Sequence, residues 1–298
     1  MKKVFIVILN WNGLSDTLEC LDSLKKINYP SYRIVVVDNG SENNEAETIK
    51  QKYPEVYLIK NKENKGIDIA ANQGFEFSLN KGADYILFLN NDTVVSPDFM
   101  NVLVNFSEKH KNAGAVGPKI LYYKSNKIWF NGGKIWWWIG FSRHLERLKK
   151  NEKSKIAFPR EVDYVTGCCF LIKREALEKV GLLDPIYFAN YEDADWCFRA
   201  KKLGYKNFVV PEAVIWHKVS ATLGKKGTQK IRRFAAYYSS RNALIFAKKN
   251  LTGLKKIIFL LSQYIFRLPL NLILCVDNKA RKRYFKGLIS GTKQIVRI

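Results

Sequence analysis

Three carboxylates stand within four positions at Glu192, Asp193 and Asp195, inside the segment NYEDADWCFRAKKLGY. Acids in the first turn of a helix are stabilised by unpaired N–H groups and the helix dipole. Asp195 also lies four residues before Arg199, the spacing of an ion pair on one helix face. Helix electrostatics explains one or two of these acids. Two adjacent carboxylates in an apolar setting repel, which raises the pKa of one and makes it a candidate general base.

Asp92 and His217 are candidate ligands for a hard metal ion. Mg²⁺ and Mn²⁺ are typically held by one or two protein carboxylates, with substrate phosphates completing the coordination. A lone histidine is more often structural, but His217 ends a strand-like run, a position that favours a ligand. The other two histidines, His110 and His144, lie in lysine-rich stretches, and we expect them at the surface.

The first 120 residues alternate strand-like and helix-like patterns, which would position these side chains. Continuous apolar runs alternating with helices are typical of a parallel sheet covered on both faces, and ligands bind such sheets beyond the carboxyl ends of the strands. Turn chemistry alone would explain any one of the polar strand ends, but four in succession favour a ligand-binding cleft. The runs are Val4–Leu9, Arg33–Val37, Val56–Ile59 and Tyr85–Leu89, and they end in NWNG, DNGS, NKENKG and NNDT.

Other classes of site are excluded by what the sequence lacks. There is no G-x-G and no G-K-[ST], so the phosphate-binding loops of Rossmann and P-loop proteins are missing. The five cysteines are an odd number without a C-x-x-C, which indicates reduced core thiols rather than a disulfide framework. The first apolar run has six residues, too short for a signal peptide, so we expect a cytoplasmic protein.

Several motifs occur in an order that resembles family 2 glycosyltransferases with the GT-A fold, and more narrowly their rhamnosyltransferase-like members that act on cell-surface glycans. The similarity covers roughly residues 3–220 and continues weakly into AAYYSSRNALIFAKKN. The motifs are VILNWNG, VVVDNGSEN, NKGIDIAANQG, YILFLNNDT, VTGCCFLIKREALEKVGLLD, YEDADWCFRAKKLGY and VIWHK. The resemblance implies an inverting transfer from a dTDP- or UDP-sugar, dTDP-rhamnose among them, to a hydroxyl of a cell-surface or lipid-linked glycan.

The resemblance also implies roles for individual residues. Asp193 would be the catalytic base, and Asp92 would hold a Mg²⁺ or Mn²⁺ ion that bridges the diphosphate, with His217 completing its shell. Asp38 would hydrogen-bond the base or ribose. The remaining expected residues line the nucleotide-sugar pocket or border the acceptor and phosphate region: Asn10, Asn12, Asn64, Gly66, Asn72, Asn90 and Asn91 for the pocket, and Glu192, Trp196 and Arg199 for the border.

This sequence departs from the family pattern at Asn90, where many members have an aspartate. The substitution removes one negative charge from the metal site. We therefore expect affinity for Mg²⁺ or Mn²⁺ only in the millimolar range without nucleotide, because the donor phosphates must supply most ligands.

The C-terminal region differs in charge from the rest of the chain. Residues 218–298 hold 19 Lys and Arg and a single acid, Asp277, out of a net charge of +23 for the chain. We divide the chain into a catalytic domain at 1–220 and a basic helical region at 221–298. Its longest uncharged stretch, Ile257–Phe266, has ten residues, fewer than the roughly 20 of a spanning helix, so we expect it to lie on an anionic membrane surface at the inner face of the cell membrane.

Three rival functions were weighed against a glycosyltransferase. Basic patches with aromatics suit nucleic-acid binding, but the predicted cleft is lined with acids and no helix-turn-helix or zinc spacing occurs, so no nucleic-acid partner is expected. A nucleotidyltransferase on a similar α/β sheet would release pyrophosphate from a nucleoside triphosphate. An inactive homologue would bind glycans without turning them over. The last two alternatives stay open from the sequence alone.

Overall fold

The computed structural model describes residues 1–219, 224–274 and 277–297. A ten-stranded mixed sheet forms its centre, flanked by helices and joined by a separate hairpin. The strands are β1 (Val4–Asn10), β2 (Tyr32–Asp38), β3 (Tyr57–Lys60), β4 (Tyr85–Asn90), β5 (Thr93–Val95), β6 (Ala113–Tyr122), β7 (Ile128–Phe130), β8 (Gly133–Trp136), β9 (Phe141–His144), β10 (Arg160–Val162), β11 (Cys169–Lys173) and β12 (Lys206–His217). The helices are α1 (Leu14–Leu24), α2 (Glu45–Lys52), α3 (Ile67–Asn80), α4 (Phe99–Lys109), α5 (Arg174–Val180), α6 (Glu192–Lys202), α7 (Gly224–Asn250), α8 (Gly253–Ser262), α9 (Leu268–Leu274) and α10 (Asn278–Arg297).

The first half of the sheet is parallel, as its continuous apolar strands predict. The order of the main sheet is β10-β12-β6-β11-β4-β1-β2-β3, and β1 pairs in parallel with both β2 and β4. The register places Asn10 beside Asp38 and Leu9 beside Asn90. Polar residues from three strands therefore meet at one edge, because the carboxyl ends of parallel strands point the same way.

The second half of the sheet adds antiparallel pairings that carry the chain back across this edge. Strand β11 runs antiparallel to β4 and β6, and the short β5 pairs antiparallel with the end of β12. Strand β10 ends at Val162 and β11 begins at Cys169, and the segment between them contributes Tyr164, Thr166, Gly167 and Cys168 to the lining of the cavity described below.

The segment expected to be irregular, residues 121–165, contains β7, the β8–β9 hairpin and β10. In the hairpin, Gly133 faces His144 and Trp136 faces Phe141. Two antiparallel strands alone are marginally stable, but this hairpin packs against α8, and the Gln263 side chain donates to the Gly140 carbonyl at 2.9 Å.

The basic helical region packs on the catalytic half through α7. The Asn242 side-chain amide donates to the carbonyls of Tyr187, Ala189 and Asn190 at 2.7–2.8 Å. This loop leads into α6, and its residues Phe188, Asn190 and Tyr191 have positive φ, a conformation that costs non-glycine residues free energy. Asn242 therefore stabilises a strained loop at the start of the acid-bearing helix.

The four described cysteines are buried and free, as predicted for a reduced protein. Cys275 lies outside the described residues.

Replacing Asn242 by Asp should destabilise the fold strongly. The two side chains have the same shape, but the change puts an acceptor against three carbonyl oxygens, and buried unpaired polar groups cost about 1–3 kcal/mol each. We expect the free energy of unfolding to fall by about 3 kcal/mol or more, measured by urea denaturation. The matched control is Asn278→Asp at an exposed site, and equal midpoints for the two variants would contradict this role.

Candidate active site

A cavity of about 360 Å³ opens at the edge where the strands end. It brings together side chains from α6, the strand ends and the β8–β9 hairpin. Eight polar or ionisable residues are among those that line it: Asn90, Ser142, His144, Tyr164, Thr166, Glu192, Asp193 and His217. Four of the predicted site residues, Asn90, Glu192, Asp193 and His217, thus face one space although they come from distant parts of the chain.

One wall of the cavity carries the adjacent acids of α6. Asp193 accepts hydrogen bonds from the Gly167 and Ala194 amides at 2.8 and 2.7 Å. Glu192 is only 7% exposed, and its Oε2 has no hydrogen-bond partner. Burial raises the pKa of both groups, and for Glu192 the neighbouring Asp193 and Asp68 raise it further. Because the Gly167 and Ala194 amides hydrogen-bond the Asp193 carboxylate while Glu192 Oε2 has no partner, the proton is favoured on Glu192 and the charge on Asp193.

The buried Asp68 belongs to the same group of acids, and the sequence reasoning missed it. It is fully buried in the first turn of α3, and neither carboxylate oxygen has a hydrogen bond of good geometry. Burial raises the pKa of Asp68 to about 7, opposed by the nearby Phe188 amide and raised further by Asp193. Its place in NKGIDIAANQG, an acid at the start of an otherwise apolar helix, was the available signal.

The predicted metal ligands are His217, which lines the cavity, and Asp92, which contacts it. The pairing of β5 with β12 sets His217 against Thr93, and His217 Nε2 lies 3.0 Å from Asp92 Oδ1. Both side chains are largely buried, and His217 Nδ1 has no hydrogen-bond partner. The Cys168 thiol also lines the cavity, and burial raises its pKa.

No group of three or more His, Cys, Asp or Glu side chains able to hold a metal occurs in the described ranges. Asp92 and His217 are thus two adjacent oxygen and nitrogen donors that fit an incomplete shell. Substrate phosphates would have to supply the remaining ligands, as the sequence predicted from Asn90.

Beside the metal ligands, the ends of β1 and β2 form a hydrogen-bond network around Asp38. Asn10 donates to Asp38, Ser41 and Glu45 at 2.8–3.0 Å and accepts from Thr17 at 2.7 Å. Asn10 is therefore fully buried and fully bonded. Its hydrogen bonds hold the side chains of Asp38 and Glu45 in place at this edge.

The other predicted pocket residues of this edge are arranged around loops. Asn12 is exposed with positive φ and accepts from the Glu42 amide, while Asn91 donates to Thr17 at 2.9 Å. Asn64 accepts from Asn39 and from the Gly66 amide. Gly66 has φ +87°, and a Cβ there would lie 2.6 Å from the Phe188 ring, so only glycine fits.

Three further predicted site residues make their hydrogen bonds with other parts of the protein. Asn72 exchanges hydrogen bonds of 2.8 and 3.0 Å with the Leu183 backbone, which ties α3 to the loop before α6. Trp196 is fully buried and donates to the Gly181 carbonyl. Arg199 binds Asp195 at 2.8 Å and the carbonyls of Val180 and Leu182. Packing and polar contacts within the protein thus hold these three side chains.

His144 lies in the cavity wall, although the sequence predicted it at the surface. Its ring packs edge-on against Trp129 and Phe130. The lysine-rich sequence around it gave no signal, because the β8–β9 hairpin turns this one side chain inward. His110 does lie away from the cavity, stacked on Phe106 at the end of α4.

The model of the family described as "Glycosyl transferase family 2" matches residues 5–181, more than half of the chain. The chain belongs to glycosyl transferase family 2. It is therefore a glycosyltransferase, as the motif order predicted. The chain is 26% identical over 313 residues to dTDP-rhamnosyl transferase RfbF of Shigella flexneri, covering 99% of this chain and 95% of that protein.

Further similarities support the family and the fold. The N-acetylglucosaminyl-diphospho-decaprenol L-rhamnosyltransferase of Mycobacterium tuberculosis is 27% identical over 234 residues, 70% of this chain and 72% of that enzyme. A mannosyltransferase of Pyrobaculum calidifontis, solved with GDP-Man and Mn²⁺, has a TM-score of 0.62 at 14% identity and covers 99% of this chain and 87% of its own. S. aureus TarS 1-349 with UDP-GlcNAc has a TM-score of 0.60 at 14% identity, over 98% of this chain and 81% of TarS. The predicted GT-A fold is confirmed.

The Asp92–His217 pair predicts a metal affinity that depends on nucleotide. With one carboxylate and one imidazole, Mn²⁺ alone should bind in roughly the millimolar range. A nucleoside diphosphate should tighten binding about tenfold or more, since its phosphates add ligands. Calorimetry with Mn²⁺, with and without UDP or dTDP, measures both values.

His217→Ala should weaken binding of the Mn²⁺–nucleotide pair, whereas the control His110→Ala should not. Micromolar binding of Mn²⁺ to the nucleotide-free enzyme would contradict the incomplete shell.

Proposed function

We propose that this glycosyltransferase moves a sugar from a nucleotide-diphosphate sugar to an acceptor hydroxyl, with inversion at the anomeric carbon and with Mg²⁺ or Mn²⁺ as cofactor. The observation that carries the proposal is the shared cavity, which is lined by Asp193 and by His217, whose Nε2 lies 3.0 Å from Asp92 Oδ1. The names of the bacterial relatives favour a dTDP-sugar, with dTDP-rhamnose first, over a UDP-sugar.

The proton of the acceptor hydroxyl passes to Asp193. The oxygen of the acceptor hydroxyl forms the new bond to the anomeric carbon. On the opposite face the bond from this carbon to the diphosphate oxygen breaks, and the nucleoside diphosphate leaves with the electron pair. The Gly167 and Ala194 amides hold the Asp193 carboxylate in one orientation. Burial raises its pKa, which makes Asp193 a better base than an exposed aspartate.

The nucleotide and metal sides of the site follow from the same edge. Asp38, oriented by Asn10, is available to bind the base or ribose, and the loop at Asn64 and Gly66 forms the far wall of the nucleotide pocket. Asp92 and His217 would hold the divalent ion, which when bound stabilises the negative charge of the departing diphosphate. This arrangement requires donor and base on opposite sides of one cavity.

The variant Asp193→Asn should lose turnover while keeping the donor site. Removing a general base typically costs 10²–10⁴-fold in rate, so we expect kcat to drop by at least about 100-fold. Thermal shift with UDP-, dTDP- and GDP-sugars, with and without Mn²⁺, should identify the donor and show equal stabilisation of wild type and variant.

The control Asp98→Asn, at an exposed carboxylate bonded to Asn28, should keep full activity. Wild-type activity in Asp193→Asn, or release of pyrophosphate instead of a nucleoside diphosphate, would overturn the proposed reaction.

The proposal extends to a membrane surface and a lipid-linked acceptor. Residues Gly253–Ile273 form a helical stretch long and apolar enough to cross a bilayer by length and composition, and only 17% of its apolar window is buried. We propose that it lies in the interface of the inner face of the cell membrane, because Lys255, Lys256 and Arg267 lie within it. Its most exposed apolar side chains are Leu254, Ile257, Leu261, Ile265, Phe266 and Ile273.

An enzyme docked this way should bind anionic vesicles through the helical stretch. The double substitution of Ile257 and Leu261 by Asp places charge on one face, four residues apart, and should abolish sedimentation with phosphatidylglycerol vesicles. The control Phe158→Asp changes an equally exposed apolar side chain outside these helices. Equal sedimentation of the double variant and wild type would contradict the docking surface.

A further inference from the structure

Strand β9 presents two polar side chains to the cavity, on the same wall. Ser142 and His144 are two residues apart, so they share a face of the strand, and both line the cavity. Tyr164, Tyr191 and Asp193 line the same cavity. This face of β9 therefore opens to the cavity that holds the proposed base.

The surroundings of His144 fix its tautomer. Its Nδ1 lies 3.3 Å from the Trp129 carbonyl, which can only accept, so Nδ1 carries the hydrogen. Nε2 is then a bare acceptor, and no partner for it occurs among the residues that the structure describes. Burial, with Arg147 nearby, lowers the pKa of His144 to about 4, so the ring is neutral at physiological pH.

Glu192 supplies a second unmet hydrogen-bonding group nearby. Only 7% of Glu192 is exposed, the residue lines the cavity, and its Oε2 has no hydrogen-bond partner. Buried polar groups left without partners cost free energy that a ligand can recover. An ionised phosphate offers only hydrogen-bond acceptors, so it cannot donate to the bare Nε2 of His144. Sugar hydroxyls both donate and accept, so they match an imidazole nitrogen and a carboxyl group.

The hairpin also connects this wall to the exposed helical stretch. Gly140, at the turn between β8 and β9, accepts from Gln263, and Arg267 lies over the Phe141 ring at 4.6 Å. A saccharide attached to a lipid in the bilayer would approach along this hairpin. The hairpin that carries Ser142 and His144 is thus continuous with the surface proposed to meet the membrane.

We propose that His144 Nε2 accepts a hydrogen bond from a hydroxyl of the acceptor saccharide, and that Glu192 binds a second hydroxyl of the same sugar. The assignment rests on the proposed function, because it requires a sugar acceptor beside Asp193. It names His144 and Glu192 as acceptor-binding residues that set which sugar is glycosylated.

Three histidine variants test the assignment. His144→Phe keeps the aromatic packing and removes the acceptor nitrogen, whereas His144→Gln places an amide oxygen close to the position of Nε2. The control His110→Phe removes a histidine that makes the same kind of bond, from Nδ1 to the Phe106 carbonyl at 2.8 Å, far from the cavity. The probes are octyl glycosides of glucose, galactose, mannose and N-acetylglucosamine, with the donor identified by thermal shift.

His144→Phe should raise the acceptor KM about tenfold, the effect of one hydrogen bond. The donor KM and the slow hydrolysis of donor by water should stay at wild-type values, and melting temperatures show that the variant is folded. His144→Gln should stay within about threefold of wild type, and His110→Phe should be unchanged.

An unchanged acceptor KM in His144→Phe, or an equal rise in donor KM, would overturn the assignment while leaving the proposed function intact. Absence of transfer by the wild type to every glycoside, despite donor binding, would overturn the proposed function and the assignment with it.

Discussion

The burial of two adjacent carboxyl groups at the start of α6 is the constraint on which the site depends. Water would stabilise both charges, but Glu192 and Asp193 are buried and have little contact with it. Two backbone amides hydrogen-bond the Asp193 carboxylate, whereas Glu192 Oε2 has no partner. This difference favours the charge on Asp193 and the proton on Glu192, a division that the same two side chains at a surface would not have.

This division requires a fixed loop before α6, and the C-terminal helices provide it. Asn242 of α7 binds three carbonyls of the loop, and Asn250 of the same helix binds Asp195 at 2.7 Å. The basic region predicted to begin at residue 221 therefore contributes hydrogen bonds to α6 and to the loop before it. A change in how α7 sits would be transmitted to Asp193 through these few hydrogen bonds.

Much of the fold could be predicted from local patterns. Continuous apolar runs predicted β1 to β4. The polar residues that follow these runs predicted that a ligand binds at one edge of the sheet, because the carboxyl ends of parallel strands lie at the same edge. The Asp195–Arg199 pair followed from helix spacing. These features depend on neighbours within a few positions, and a single sequence shows such neighbours directly.

Residues whose partners are far along the chain could not be predicted in the same way. Asn72 binds the backbone at Leu183, more than a hundred positions away, and the Asn10 amide donates its hydrogen bonds to Asp38, Ser41 and Glu45. His144 faces inward only because the β8–β9 hairpin packs against α8. A polar residue type shows that a hydrogen bond is needed, but the tertiary fold decides whether protein or substrate makes it.

The central claim is that donor and base occupy opposite walls of one cavity. Diffraction from crystals grown with Mn²⁺ and the stabilising nucleotide sugar, recorded at the manganese absorption edge, tests it most directly. The account predicts a manganese peak beside Asp92 and His217, with the anomeric carbon of the sugar turned toward Asp193. An ion bound elsewhere, or a sugar on the far side of the sheet edge from Asp193, would contradict it.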